Sequence, residues 1–278
     1  MKISAAFRNA WKAWSRHPAA VLKFLLVEAC LTLICAAPLL FLADGKLSVL
    51  ALLAIPLWIL IMFPARVNAA AAMQDSLEGG SLFSLRLADP SDWGGKVLCG
   101  LKRAVLMLIW GAPMIAGLWY AWAHFTGTVD AFTLLRMIQD FGSGDTMTGV
   151  IRLLLIFLGM LLVLMIGFGF HSGARHAYAL GDRGRMKGFR GKNLLCWICA
   201  LISLLPLIVA ILIVGIRYWA LLQNISAYLT GVEKLPSMKP ALIILGIGGV
   251  LTLPLLPLRS LITAAFVNGI RPRDGTKE

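Results

Sequence analysis

Apolar residues run through this chain in long unbroken blocks, not in the alternating or three-to-four spacing of a soluble domain. Blocks of roughly 17–25 residues, enough to cross a bilayer core as a helix, fall at Val21–Ala43, Leu47–Pro64, Ala104–Ala123, Leu153–Phe170, Leu194–Val214 and Ala241–Leu258. The pattern predicts an all-α, polytopic integral membrane protein with six transmembrane helices. Ahead of the first block, Phe7, Trp11 and Trp14 recur at intervals of four and three, Arg8, Lys12 and Arg16 recur every four on another face, and Pro18 follows. That spacing predicts an N-terminal amphipathic interfacial helix over residues 1–18, its aromatic side at the headgroup boundary and its basic side towards anionic lipid. A partner protein would be met by the same face: Trp11, Trp14, Arg8 and Lys12. Residues 19–278 are then the six-helix transmembrane domain.

The odd and even blocks differ systematically, which suggests an internal repeat. Odd blocks carry a proline in their later half: Ala36-Ala37-Pro38-Leu39, Gly111-Ala112-Pro113-Met114 and Leu204-Leu205-Pro206-Leu207. Even blocks end at an arginine followed by small or apolar residues: Arg66-Val67-Asn68-Ala69, Arg175-His176-Ala177-Tyr178 and Arg259-Ser260-Leu261-Ile262. Three tandem helical hairpins account for this, with Arg66, Arg175 and Arg259 at one level and a kink expected at each proline.

Charge supplies the orientation. There are 26 Lys and Arg against 13 Asp and Glu, a net +13 that in a soluble protein would suggest nucleic acid. If both termini are inside, 20 of the basic residues fall at the inner ends of the blocks and six (Lys46, Arg136, Arg152, Arg217, Lys234 and Lys239) outside. The positive-inside rule thus places the N- and C-termini in the cytoplasm of a multi-pass protein of the inner membrane. The surplus meets anionic headgroups on that side, and nucleic acid is not an expected partner. Composition agrees: 59% hydrophobic and 14% charged residues, with a mean hydropathy of +0.84, against about 45–50% and 25% in soluble domains. The first block is expected to be retained, because Glu28 interrupts it and Pro38 follows the best small-residue cleavage position.

No residue set declares a reaction. Asp75, Glu78, Asp89 and Asp92 share one inner loop, without the spacing of a metal-dependent phosphotransferase or prenyl transferase, and read as a solvated loop face. His171 and His176 are five apart and do not form an i, i+4 metal pair. Cys196-Trp197-Ile198-Cys199 has redox-motif spacing, but no His or acid flanks it, and free Cys is ordinarily a small buried hydrophobe. No Ser or Cys nucleophile has a base at readable spacing, so no enzyme activity, cofactor or metal is expected. One intramembrane charge remains. Glu28, with Thr32 and Cys35 four and seven residues on, forms a stripe expected to face the bundle interior, and ionisable groups at such depth default to a functional role. Glu28 lies ten residues before Pro38 as Arg103 lies ten before Pro113, so a structural Glu28–Arg103 ion pair is the competing expectation.

The kink prolines in Ala37-Pro38-Leu39, Ala112-Pro113-Met114 and Leu205-Pro206-Leu207, with the lead-in Phe7-Arg8-Asn9-Ala10-Trp11, resemble bacterial six-span membrane families of unknown function. They also resemble the membrane domain fused to some glycerophosphodiester phosphodiesterases. The resemblance implies a fold and a membrane location; it carries over no catalytic residue. Two function classes follow: a non-enzymatic accessory or scaffold subunit with a basic cytoplasmic face, and a transporter or permease subunit that uses the Glu28 stripe and contacts an ATPase.

Overall fold

A computed structural model describes residues 3–43, 48–124, 136, 138–139, 142–144, 146–181, 190–219 and 237–270. Every element among them is helical. Six helices are long and apolar enough to cross a membrane, the mark of a multi-pass membrane protein: Pro18–Phe41, Val49–Leu77, Trp93–Trp119, Thr148–Ala179, Lys192–Arg217 and Lys239–Gly269, here spans one to six. Spans two, four and six run 9–13 residues beyond the apolar blocks that announce them. In spans two and six the helix continues where hydrophobicity stops, helped in span two by a run of alanine, the strongest helix former. Span four instead passes through a turn at residues 171–173 before Ala174–Ala179.

Local chemistry sets the ends. Pro18 opens span one at a first-turn position, where its missing N–H costs nothing. Span two closes at Gly79, which takes a left-handed φ of +111°, while the Gly80 N–H reaches back to the Asp75 carbonyl at 2.8 Å. The prolines act unequally. At Pro38 the α ladder gives way to the 3-10 segment Ala37–Ala43, and before Pro206 it does so over Leu201–Leu204, whereas Pro113 sits inside an unbroken α-helix, Trp93–His124. Even spans are interrupted too, by a wide π turn at Trp58–Met62 after Pro56 and a 3-10 turn at Leu253–Leu255 containing Pro254.

The chain sorts into two compact units. The first comprises Met1–Leu106, Phe168–Leu204 and Leu253–Glu278. Within it, helix α1 (Ile3–Arg16) lies against Leu256–Ile270 of span six. The face that seats it is Ala6, Ala10 and Ala13, all buried, against Leu258, Leu261, Ile262 and Ala265. Trp14 adds a hydrogen bond from Nε1 to the Pro254 carbonyl at 2.9 Å, while Trp11 stays 48% exposed with its ring 5.1 Å from that of Trp14. Thus a small-residue face holds the helix to the protein, and of the aromatic residues expected at the headgroup boundary only Trp11 is largely open. Phe63–Leu77 of span two packs on both Ala174–Ala179 and Leu256–Ile270, and Gln74, buried, donates from Nε2 to the Ala264 carbonyl at 3.2 Å.

The second unit comprises Met107–Gly167 and Leu205–Thr252. Its helix pairs approach through glycine: Gly167 lies against the Trp110 ring, and Gly248 against Ala210 and the Pro206 carbonyl. Thr252 spends its hydroxyl on the Gly248 carbonyl at 2.8 Å, inside its own helix. Lys46 and Lys234, two of the basic residues expected outside, lie outside the described residues.

The loop from 78 to 92 is tied down rather than merely solvated. Asn68, buried, donates from Nδ2 to the carbonyls of Leu87 at 3.2 Å and Asp89 at 2.9 Å. Lys96, also buried, donates from Nζ to the Asp89 carbonyl at 2.9 Å and stands 3.4 Å from its carboxylate. Ser91 caps the same carboxylate through its hydroxyl at 2.7 Å and its backbone N–H at 2.9 Å. The Ser91 hydrogen bonds, with Lys96 adding to them, hold the Asp89 carboxyl down at about 2. A folded-state value below the ordinary 3.8 contributes stability that is present above pH ~4 and is lost as the pH falls towards 2. The melting temperature in detergent should therefore fall over that window. In Asp89→Asn that part of the acid slope should vanish, and an unchanged slope would remove Asp89 from the account.

Candidate functional site

Four guanidiniums converge in the first unit, from four different spans. Arg66 follows the second apolar block, Arg103 precedes the third, Arg175 lies just beyond the fourth and Arg259 ends the sixth. The contacts of Phe63–Leu77 with Ala174–Ala179 and Leu256–Ile270 bring three of these helices together. Gly100 lets span three close on the Phe63 side chain of span two, where a Cβ would collide with the ring. Arg103 consequently lies within electrostatic reach of Arg66, Arg175 and Arg259, and Arg175 within reach of Arg66 as well. All four are half-buried.

Two of them rest on aromatic faces. The Arg66 guanidinium carbon stands 5.5 Å from the Trp58 ring centre and that of Arg259 stands 5.0 Å from Trp197. A ring beneath a guanidinium satisfies its flat face and leaves the in-plane N–H groups open. The Nε of Arg66 is fully buried with no hydrogen-bond partner. So is Nδ1 of His176, a side chain 5% exposed that lies within electrostatic reach of Arg175 and Arg103 and is bonded elsewhere to the Ala70 backbone.

The counter-charge is sparse. Arg86–Asp75 at 3.2 Å and Lys96–Asp89 at 3.4 Å form ion pairs, and neither touches the cluster. Glu28 makes no ion pair with Arg103, contrary to the pairing that aligned prolines suggest; Arg175 is the arginine within its electrostatic reach. Equal distance from a proline sets depth, but not the direction in which a side chain leaves its helix. The Glu28 stripe does turn inwards along its length, since Cys35 is buried with Sγ 3.6 Å from the Leu57 carbonyl. Thr32, however, gives its hydroxyl to the Glu28 carbonyl at 2.7 Å, the back-bond to its own helix that leaves little for a ligand.

The other sequence candidates separate. Arg8 and Lys12 are exposed on α1, away from its buried alanine face. Cys196 is buried, with its sulfur 3.9 Å from the Ile262 carbonyl, and Cys199 is exposed; both are free thiols. Asp92 accepts a 2.5 Å hydrogen bond from the Tyr178 hydroxyl, so the fourth acidic residue of the loop links span three to span four. Sequence reasoning placed three of the four arginines at one level but treated Arg103 as half of a pair, and it passed over Trp58, Trp197 and His176. An aromatic residue in an apolar block carries no mark that distinguishes a guanidinium support from a lipid-facing side chain. No family model matches the chain, and neither a curated protein nor a solved structure matches it.

Proposed function

We propose that this chain is a non-enzymatic bacterial inner-membrane protein that acts as an accessory or scaffold subunit. Its three tandem hairpins begin and end in the cytoplasm, and its basic inner face gathers anionic lipid or a protein partner. The observation that carries this reading is the gathering of Arg66, Arg103, Arg175 and Arg259 at the arginine end of the spans, with the Glu28 carboxylate within reach of Arg175. Its non-enzymatic part rests on the sequence, in which no nucleophile is paired with a base. The resemblance to six-span bacterial families supports the same fold and location.

Orientation is tested with reporter fusions at Gly45, Gly144 and Glu233, each expected to behave as external. An internal signal at Gly144 would overturn the arrangement. The partner role is tested by placing a photo-crosslinking residue at Trp11, the exposed aromatic of α1. A discrete protein adduct, lost when Arg8 and Lys12 are both changed to glutamate, is expected; lipid adducts alone would remove the scaffold role.

A second reading, a transporter or permease subunit that contacts an ATPase, draws on Glu28 and its reach to Arg175. If the two charges support one another structurally, Glu28→Gln and Arg175→Gln should show a coupling of at least about 0.5 kcal/mol in a double-mutant cycle read by thermal stability. Additive losses, together with a well-folded Glu28→Gln, would instead favour the transport role.

A further inference from the structure

Guanidiniums brought together from four helices repel one another, and at neutral pH arginine does not relieve that repulsion by losing its proton. Charges crowded by protein need counter-charge and hydrogen bonds if they are to be tolerated. Here Glu28 is the carboxylate within reach of the group, and it acts on Arg175. Other surroundings of the cluster favour an anion too. Trp58 and Trp197 orient two guanidiniums by their faces, and Arg66 Nε, a fully buried donor, has no partner in the protein.

From this arrangement we propose that Arg66, Arg103, Arg175 and Arg259 form a binding site for a phosphate group. Planar guanidinium forks match the oxygens of a phosphate two at a time, and several forks arriving from different helices suit the tetrahedral spread of phosphate oxygens better than a planar carboxylate. Each arginine lies at or just beyond the edge of its apolar block. An acidic phospholipid could put its headgroup phosphate there with its chains along the exposed apolar faces, and a soluble phosphate ester would meet the same donors from the aqueous side. The site deepens the lipid-gathering part of the proposed function and rests on it for the side of the membrane from which the lipid comes. It does not depend on the scaffold role.

The test uses the full-length protein in a neutral detergent, with unfolding followed by a thiol-reactive dye that reports the buried Cys35 and Cys196. Three probes are titrated: dioctanoyl phosphatidylglycerol, dioctanoyl phosphatidylcholine and inorganic phosphate. Stabilisation by several degrees with phosphatidylglycerol, absent with phosphatidylcholine, whose phosphate is already paired with its own choline cation, is expected and identifies an acidic phospholipid headgroup. A comparable shift with inorganic phosphate identifies a soluble phosphate ligand at the same donors. In Arg103→Gln and Arg175→Gln the apparent affinity should fall at least tenfold, with a smaller fall in the lysine variants, which keep charge but lose the fork. Arg217→Gln, on an exposed residue at the end of span five, should bind as the unaltered protein does. No anion-dependent shift in the unaltered protein overturns the site, and this arm stands even if the glutamine variants do not fold. Equal shifts in the unaltered protein and a folded Arg103→Gln or Arg175→Gln also overturn it. Loss of the Trp11 protein adduct with anion binding intact would remove the scaffold reading and leave the site standing.

Discussion

Leu261→Ala is expected to lower the unfolding free energy by about 2–5 kcal/mol, the range for truncating a fully buried leucine whose surroundings close only in part. Leu261 and Ile262 are both 0% exposed and stand where α1, span two and the start of span five meet the end of span six. This is the densest core of the first unit, and its partners come from regions far apart in the chain, so no single neighbour can shift to fill the space. Thermal unfolding in detergent measures the loss, with Cys196 as a convenient reporter because its sulfur lies against the Ile262 backbone. Leu85→Ala is the control: at 93% exposure in a surface turn it should change stability by less than about 0.5 kcal/mol. Similar, small losses at both positions would mean that α1 is not seated on span six.

Gly248 and Gly249 are adjacent in one helix, yet alanine at the two sites should act in opposite directions. A Cβ on Gly248 would meet the Ala210 methyl and would lie 3.1 Å from the Pro206 carbonyl, a backbone atom that cannot rotate away. Forcing the helices of this pair apart should cost about 1–3 kcal/mol. Gly249 has nothing within 4 Å of the same position, so Gly249→Ala gains helix propensity and should stabilise by up to about 1 kcal/mol. Paired melting curves decide it. Equal effects at the two positions would show that spans five and six do not approach at Gly248.

The six spans were legible because a bilayer demands length and apolarity, and both are written along the chain residue by residue. Their true extents were not, since the criterion that finds a span ends at the first charge, whereas the helix itself continues through Val67–Ala72 and Leu261–Val267. Correspondence between blocks could also be read: Arg66, Arg175 and Arg259 stand at matching points of three blocks, and the helices that carry them pack on one another. Direction around a helix could not. Glu28 was matched to Arg103 by distance from a proline, but the two form no ion pair, and Arg175 lies within reach of the Glu28 charge. For α1 the conspicuous aromatic and basic residues described the exposed faces well, while the seat was made by Ala6, Ala10 and Ala13. Alanine is small enough for any environment, so its i, i+4, i+7 spacing drew no attention. Likewise, acidic residues in a mixed-charge loop look alike until the fold gives Asp89 to Ser91 and Lys96 and gives Asp92 to Tyr178.

The seat of α1 also fixes an order of events during synthesis. Trp14 bonds to a carbonyl 240 positions further along the chain, so α1 leaves the ribosome well before the span it rests on. At about 5–20 residues per second, the wait is about 10–50 s. Over that interval the alanine face of α1 has no permanent neighbour, and the aromatic and basic faces are all that can hold the nascent N-terminus against the lipid surface. The contact between α1 and span six therefore forms late, and a ribosome stalled before span six leaves behind a product in which α1 was never locked in place.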